Sequence, residues 1–159
     1  MTAPAPIAML AELTYRCPLS CPYCSNPVEM AAREKEISTE LWVDVFRQAA
    51  GLGVLQLHLS GGEPASRRDL VDLVAGARDA GLYTNLITSA IGLTQRRLAE
   101  LDAAGLDHVQ LSLQGTDADM ADRIGGYNGG FKRKMQAAAW IVEAGFPLTL
   151  NAVVHRHNL

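Results

Sequence analysis

The chain has 159 residues, 48% apolar and 19% charged, with a net charge of -3, so one ordinary domain with a real hydrophobic core is expected. Its apolar runs are too short to cross a bilayer and its charges lie in small mixed groups such as AAREKE (Ala31 to Glu36), so the expectation is a soluble, cytoplasmic protein with neither membrane nor nucleic acid among its partners. Three cysteines within eight residues leave one thiol over from any disulfide framework and suit a reducing compartment.

In chain order, the first candidate strand is IAMLAELT from Ile7. It runs into RCPLSCPYCSN, Arg16 to Asn26, which holds all three cysteines, and then into the polar stretch NPVEMAAREKE, Asn26 to Glu36. Helical spacing follows at Trp42, Val45, Phe46 and Ala49, then at Leu70, Leu73, Val74 and Ala77, at Leu98 and Leu101, and at Met135, Ala138, Ala139 and Val142. Ser38, Ser66 and Thr94 stand where N-caps belong, while Gly51, Gly81, Gly105 and Gly145 suit left-handed C-caps. After each glycine comes a strand: VLQLHLS from Val54, YTNLITS from Tyr83, HVQLSLQ from His108 and LTLNAVVH from Leu148. Five strands alternating with helices predict an α/β fold with a parallel sheet.

Three of these strands alternate strictly, with Gln56, His58 and Ser60, then His108, Gln110, Ser112 and Gln114, then Thr149, Asn151 and His155 on one face. The apolar face must meet the helices, so the polar row is expected to line a lumen that holds a polar ligand. That predicts an open or partial barrel with a working interior. His58 and His108, at or below mid-strand, read as hydrogen-bonded interior histidines; Trp42, Trp140 and the methionines read as packing. The sequence stops just beyond the fifth strand, which leaves an edge without a partner and predicts a segment of a longer chain.

The residues themselves leave two chemistries for the thiols. Structural zinc needs a fourth ligand, available only from His58, His108, His155 or His157, all distant in sequence. An iron-sulfur cube has four metal corners, so three thiolates leave one iron open for a substrate. Pro18 and Pro22, each following a cysteine, limit the loop's conformations. SGGEP, Ser60 to Pro64, lies at the C-terminal end of the second strand, where parallel-sheet enzymes place their ligands. There Gly61 and Gly62 permit close backbone approach, and Glu63 can accept a hydrogen bond from an ammonium group.

The spacing C-x-x-x-C-x-x-C, with aromatic Tyr23 before the last cysteine, resembles the signature of the radical S-adenosylmethionine (SAM) superfamily. The resemblance implies a partial (β/α)6-type radical SAM barrel of about five parallel strands with outer helices. It further implies a [4Fe-4S] cluster on Cys17, Cys21 and Cys24, whose open iron takes the amino and carboxylate groups of SAM. Reductive cleavage then yields a 5′-deoxyadenosyl radical. By the same resemblance Gly61, Gly62, Glu63 and Pro64 hold the SAM amino group. Tyr23, Thr88, Ser112, Gln114, Asn151 and His155 match places that contact the rest of the cofactor.

Longer words, LTYRCPLSCPYCSNP, GVLQLHLSGGEP, GLYTNLITS, GLDHVQLSLQG and LTLNAVVHRHN, closely resemble the radical SAM family of pyrroloquinoline quinone (PQQ) biosynthesis from Leu13 to Leu159. That family joins a Glu side chain to a Tyr ring within a small precursor peptide. The implied partners are a PqqA-like precursor peptide, a PqqD-like peptide chaperone and a reducing electron donor such as flavodoxin. Residues 1–159 would form the radical SAM core, incomplete because the family's sixth strand and its C-terminal region with auxiliary clusters are absent from the sequence. This segment is therefore expected to cleave SAM yet crosslink peptide poorly. The polar stretch Asn26 to Glu36 and RIGGYNGG, Arg123 to Gly130, are candidate walls of a peptide channel or plain surface loops. Two alternatives stand beside this reading: another peptide-modifying radical SAM enzyme, or a truncated, non-catalytic metal-binding module.

Overall fold

The computed structural model describes residues 4–25 and 35–159. Five strands, β1 (Ala8–Glu12), β2 (Gln56–Ser60), β3 (Tyr83–Thr88), β4 (His108–Leu113) and β5 (Leu148–Ala152), form one sheet in sequential order, and every neighbouring pair is parallel. Helices α1 (Thr39–Gly51), α2 (Leu70–Asp79), α3 (Gln95–Ala104), α4 (Ala118–Gly125) and α5 (Gly130–Glu143) make the crossovers. The expected partial barrel of five strands is what the chain forms.

The period-two pattern decides which face is dry. Ala11, Leu57, Leu59, Leu86, Val109 and Leu111 are buried against Phe46, Leu73, Val74, Leu98, Leu101 and Ile141 of the helices, each of the larger side chains contributing about 1.5–3 kcal/mol. The opposite row keeps partial exposure along β2 and β4. In register, His58 stands beside Asn85, and Asn85 beside His108. Asn85 Nδ2 meets His58 Nδ1 at 3.0 Å, and Thr149 Oγ1 meets His108 Nε2 at 2.9 Å; both histidines are hydrogen-bonded as their positions suggested, but each is only half-buried and the His108 bond is exposed.

Caps at Ser38 and Thr94 form as expected, each side chain accepting a backbone N–H of its helix. Three local expectations fail for identifiable reasons. Ser66 caps nothing, because Pro64–Ser66 closes a tight 3-10 turn and α2 begins only after Asp69. The left-handed turn after α1 falls at Gly53, two residues beyond Gly51, which is still helical. In α5 the inward stripe is Gly130, Lys134, Ala137 and Ile141, while Val142 is 62% exposed. The helix is rotated from the expected Met135 to Val142 stripe, and it carries a lysine into the core.

The segment Arg123 to Gly130 is a loop only at residues 126–129. Its first residues end α4, which Asp117 caps by accepting from the Met120 N–H at 2.8 Å, and its last residue begins α5. Most of the other candidate channel wall, residues 26–34, lies outside the described residues.

Candidate functional site

The cysteine loop leaves the C-terminal end of β1 and is gripped from three sides. Beneath it, the turn after β2 zips to its backbone: Gly62 N–H donates to Thr14 O at 2.6 Å and Glu63 N–H to Arg16 O at 2.7 Å. Gly61 adopts a φ of +122°, in the region that only glycine enters freely. The close approach that Gly61 and Gly62 permit is to this loop: a Cβ on Gly62 would stand 2.5 Å from Arg16 O and 2.6 Å from Tyr15 O, and one on Gly61 would overlap Thr14 O. On a second side Ser20 N–H donates to Gly125 O at 2.9 Å, and a Cβ on Gly126 would collide with Ser20 Oγ. On the third, buried Arg67 donates to Leu13 O at 2.8 Å while forking onto Asp69. The Asp69 carboxyl is held at about 2; partial burial pushes it up, but Arg67 and the Thr39 hydroxyl outweigh that.

Above the loop and the strand ends opens a cleft of about 260 Å³ lined by Cys17, Cys21, Tyr23, Cys24, Gly61, Gly62, Thr88, Ser112, Gln114 and Asn151. These are ten of the thirteen positions singled out from the sequence. The other three do not line it. Pro64 is buried in the 3-10 turn. His155 packs its ring against Tyr23, centroids 4.7 Å apart, with Nε2 buried and lacking a partner among the described residues.

Glu63 is the third, and its position corrects the simple picture of an open carboxylate awaiting an ammonium. It is fully buried, and four donors of this chain fill it: Ala65 N–H at 3.0 Å, Thr88 Oγ1 at 2.6 Å, Ser89 N–H at 2.7 Å, and the Ser89 hydroxyl. It ties the glycine turn to the end of β3. The hydroxyl of Thr88, its proton committed to Glu63, accepts from Ala90 N–H at 2.8 Å and keeps acceptor capacity on the cleft wall. Glu63→Gln is expected to cost about 1–3 kcal/mol in the apo protein, because an amide NH2 would face donors. Chemical denaturation measures this, and an unchanged midpoint would show that the four bonds are dispensable.

All three thiols are free; Cys17 and Cys21 are half-buried and Cys24 exposed. Burial pushes the Cys17 and Cys21 thiols up, partly offset at Cys17 by the Leu19 N–H and at Cys21 by the charge of Lys134. Among the described residues no three Cys, His, Asp or Glu side chains converge on one point, which a mononuclear zinc site requires. A cuboidal cluster takes one thiolate at each of several irons, and three cysteines lining one cleft without converging on one point fit that demand. Ser89, Gly126 and Lys134 belong to this machinery and were not singled out from the sequence.

A parallel partial barrel with a three-thiol loop over its C-terminal rim defines a cluster-bearing α/β core. Residues 11–158 match the model of the Radical SAM superfamily, and the chain belongs to that superfamily, whose enzymes use a [4Fe-4S] cluster with SAM. It is 69% identical over 159 residues to the PqqA peptide cyclase of Ruegeria pomeroyi and 64% identical over 154 residues to that of Rhizobium meliloti. These alignments cover 100% and 97% of the chain but only 42% and 41% of those proteins. Among solved structures, Streptococcus suis SuiB bound to precursor peptide SuiA superposes with a TM-score of 0.84 at 24% identity, covering 95% of this chain and 34% of SuiB. The protein anSMEcpe with bound AdoMet gives 0.72 at 16% identity, covering 91% of this chain and 43% of its own. These two share the fold.

Proposed function

We propose that residues 1–159 are the SAM- and cluster-binding core of an enzyme that crosslinks a Glu to a Tyr side chain of a PqqA-like precursor peptide in PQQ biosynthesis. The observation that carries this reading is the three-thiol loop lining, with Thr88, Ser112, Gln114 and Asn151, one cleft at the C-terminal rim of a parallel sheet, and the PqqA peptide cyclases similar to it over their matched parts support it. Cys17, Cys21 and Cys24 would anchor a [4Fe-4S] cluster, leaving one corner for SAM; together, when bound, these supply a 5′-deoxyadenosyl radical.

The chain's own residues bind and orient. Thr88 Oγ1 and the backbone of Gly61 and Gly62 offer acceptors to an ammonium group, and the buried negative charge of Glu63 behind them favours it. Pro64 fixes the turn. Ser112, Gln114 and Asn151 present hydrogen-bonding groups for a carboxylate or ribose. Tyr23 and His155 offer flat aromatic faces, and His155 Nε2, without a partner among the described residues, suits a polar edge of a base. The coupling step is assigned to the full-length protein, of which this segment spans about two fifths by its relatives, so the segment alone cleaves SAM and crosslinks poorly. A PqqD-like chaperone presenting the peptide and a flavodoxin-type reductant complete the reading. Free thiols in the site suit the reducing cytoplasm, and among the described residues no helix is long and apolar enough to cross a membrane.

The test is anaerobic reconstitution of the chain with iron and sulfide, followed by dithionite reduction with SAM. Deoxyadenosine should appear in the chromatogram, and the full-length protein should yield a peptide lighter by two hydrogens. Stoichiometric zinc with no response to SAM would instead establish a non-catalytic module.

A further inference from the structure

The chain leaves the sheet at Leu13, carries the three thiols, and comes back to the start of α1 at Ile37. Two charged side chains tie that departure to that return. The side chain of Arg67 is 6% exposed. Its guanidinium donates to Leu13 O at 2.8 Å and to Ile37 O at 3.2 Å, and forks onto Asp69 at 3.0 and 2.6 Å. Nη1 also faces Glu36 Oε2 at 4.0 Å, so every nitrogen of the planar group has a partner. Glu36, with a side chain 9% exposed, accepts from the Thr14 hydroxyl, and each of its oxygens stands 3.4 Å from the Arg16 guanidinium. The Thr14 oxygen in turn accepts from Arg16 N–H at 3.1 Å. One carboxylate therefore holds residues 22 and 20 positions away in sequence.

These bonds act on the stretch that the glycine turn holds from its other side. The carbonyls of Leu13, Thr14 and Arg16 accept from Arg67, Gly62 and Glu63 respectively, and Cys17 is the next residue. An exposed ion pair would be enough to close a surface loop. Sinking both charges beneath the chain is costly and gives a fixed geometry instead. Closing a loop costs entropy that grows with its length, and a site ordered beforehand does not lose that freedom when its ligand arrives.

We propose that Glu36 and Arg67 are positioning residues that clasp the base of the cysteine loop, setting Cys17 and its neighbours in place before iron arrives and slowing the release of a cluster held there. This rests on the cluster reading given above. The clasp touches none of the three sulfurs; it acts through the backbone of residues 13–16.

Two measurements on the 159-residue chain separate the clasp from the cluster. In amide hydrogen exchange of the apo protein, Glu36→Ala should lower the protection of Gly62 and Glu63 N–H about tenfold, as loss of a hydrogen bond to a charged group does. The amides of Leu57 and Leu59 in β2 should keep theirs, which a general loss of stability would not allow. After anaerobic reconstitution, the same variant should release iron to a chelator about tenfold faster, the lower end for losing an outer support of a metal site. Thr14→Val removes one hydroxyl and should act the same way by less, so it carries the comparison where Glu36→Ala fails to fold. Arg67→Lys keeps the charge but cannot reach Leu13 O, Ile37 O and Asp69 together, so it should release iron as fast as Glu36→Ala. Wild-type protection at Gly62 and Glu63 in both Glu36→Ala and Thr14→Val overturns the clasp. Lowered protection with wild-type iron release overturns the positioning role while the cluster reading stands. A wild-type chain that takes up no cluster overturns that reading and the positioning role with it, and exchange at Gly62 and Glu63 still decides the clasp.

Discussion

Changing any one of Cys17, Cys21 or Cys24 to Ala should bring bound iron to background after reconstitution, while the apo protein keeps its fold. Both halves follow from where the sulfurs sit. The loop lies outside the hydrophobic cluster, with two thiols half-buried and the third exposed, so each substitution should cost the apo protein no more than about 0.5 kcal/mol. The geometry of the loop is set elsewhere, by Gly62 N–H, Glu63 N–H and Ser20 N–H, none of which an alanine disturbs. A cube held by three thiolates has no spare anchor: losing one leaves two, and no His or carboxylate converges on the site among the described residues to replace it. Iron analysis and visible absorption, read beside far-ultraviolet circular dichroism, check this. Full iron content in any of the three would remove that cysteine from the ligand set.

The frame of the fold is legible because its signals are short-range. Strict alternation in Gln56 to Ser60 and His108 to Ser112 fixes two faces, and burial of Leu57, Leu59, Val109 and Leu111 follows directly. The cleft was equally legible where a motif names its residues, since the three thiols, the glycine turn and the polar strand ends meet as their spacing implies. What escaped depends on long-range packing. Helical periodicity in α5 fits two stripes; an aliphatic reading prefers Met135 to Val142, because a lysine is normally solvated, whereas the fold selects the stripe that brings Lys134 to Gln114. Likewise nothing local marks Glu63 as a tie between two strand ends. Its partners Thr88 and Ser89 come from the next strand. The glycines at 125 and 126 look like loop content until Ser20 is placed against them.

The glycine turn should be as intolerant as the cysteines, for a steric reason that needs no cofactor. Gly62→Ala puts a methyl group 2.5 Å from Arg16 O and 2.6 Å from Tyr15 O. Both neighbours are backbone atoms, one residue and two residues before Cys17, and no side-chain rotation relieves them. Either the turn or the loop must move, and either motion breaks the hydrogen bonds from Gly62 N–H to Thr14 O and from Glu63 N–H to Arg16 O. Overpacking alone costs about 1–3 kcal/mol, and losing two such bonds adds about 1–3 kcal/mol more, a large share of a domain's stability. Gly61→Ala should be worse, adding a φ of +122° to its own clash. The control is Gly51→Ala, at the last residue of α1 with open space around it, which should change stability by no more than about 0.5 kcal/mol. Thermal unfolding of the apo proteins and iron uptake on reconstitution separate the cases. A Gly62→Ala protein as stable as wild type and as able to take up iron would mean that the cysteine loop does not rest on the turn after β2.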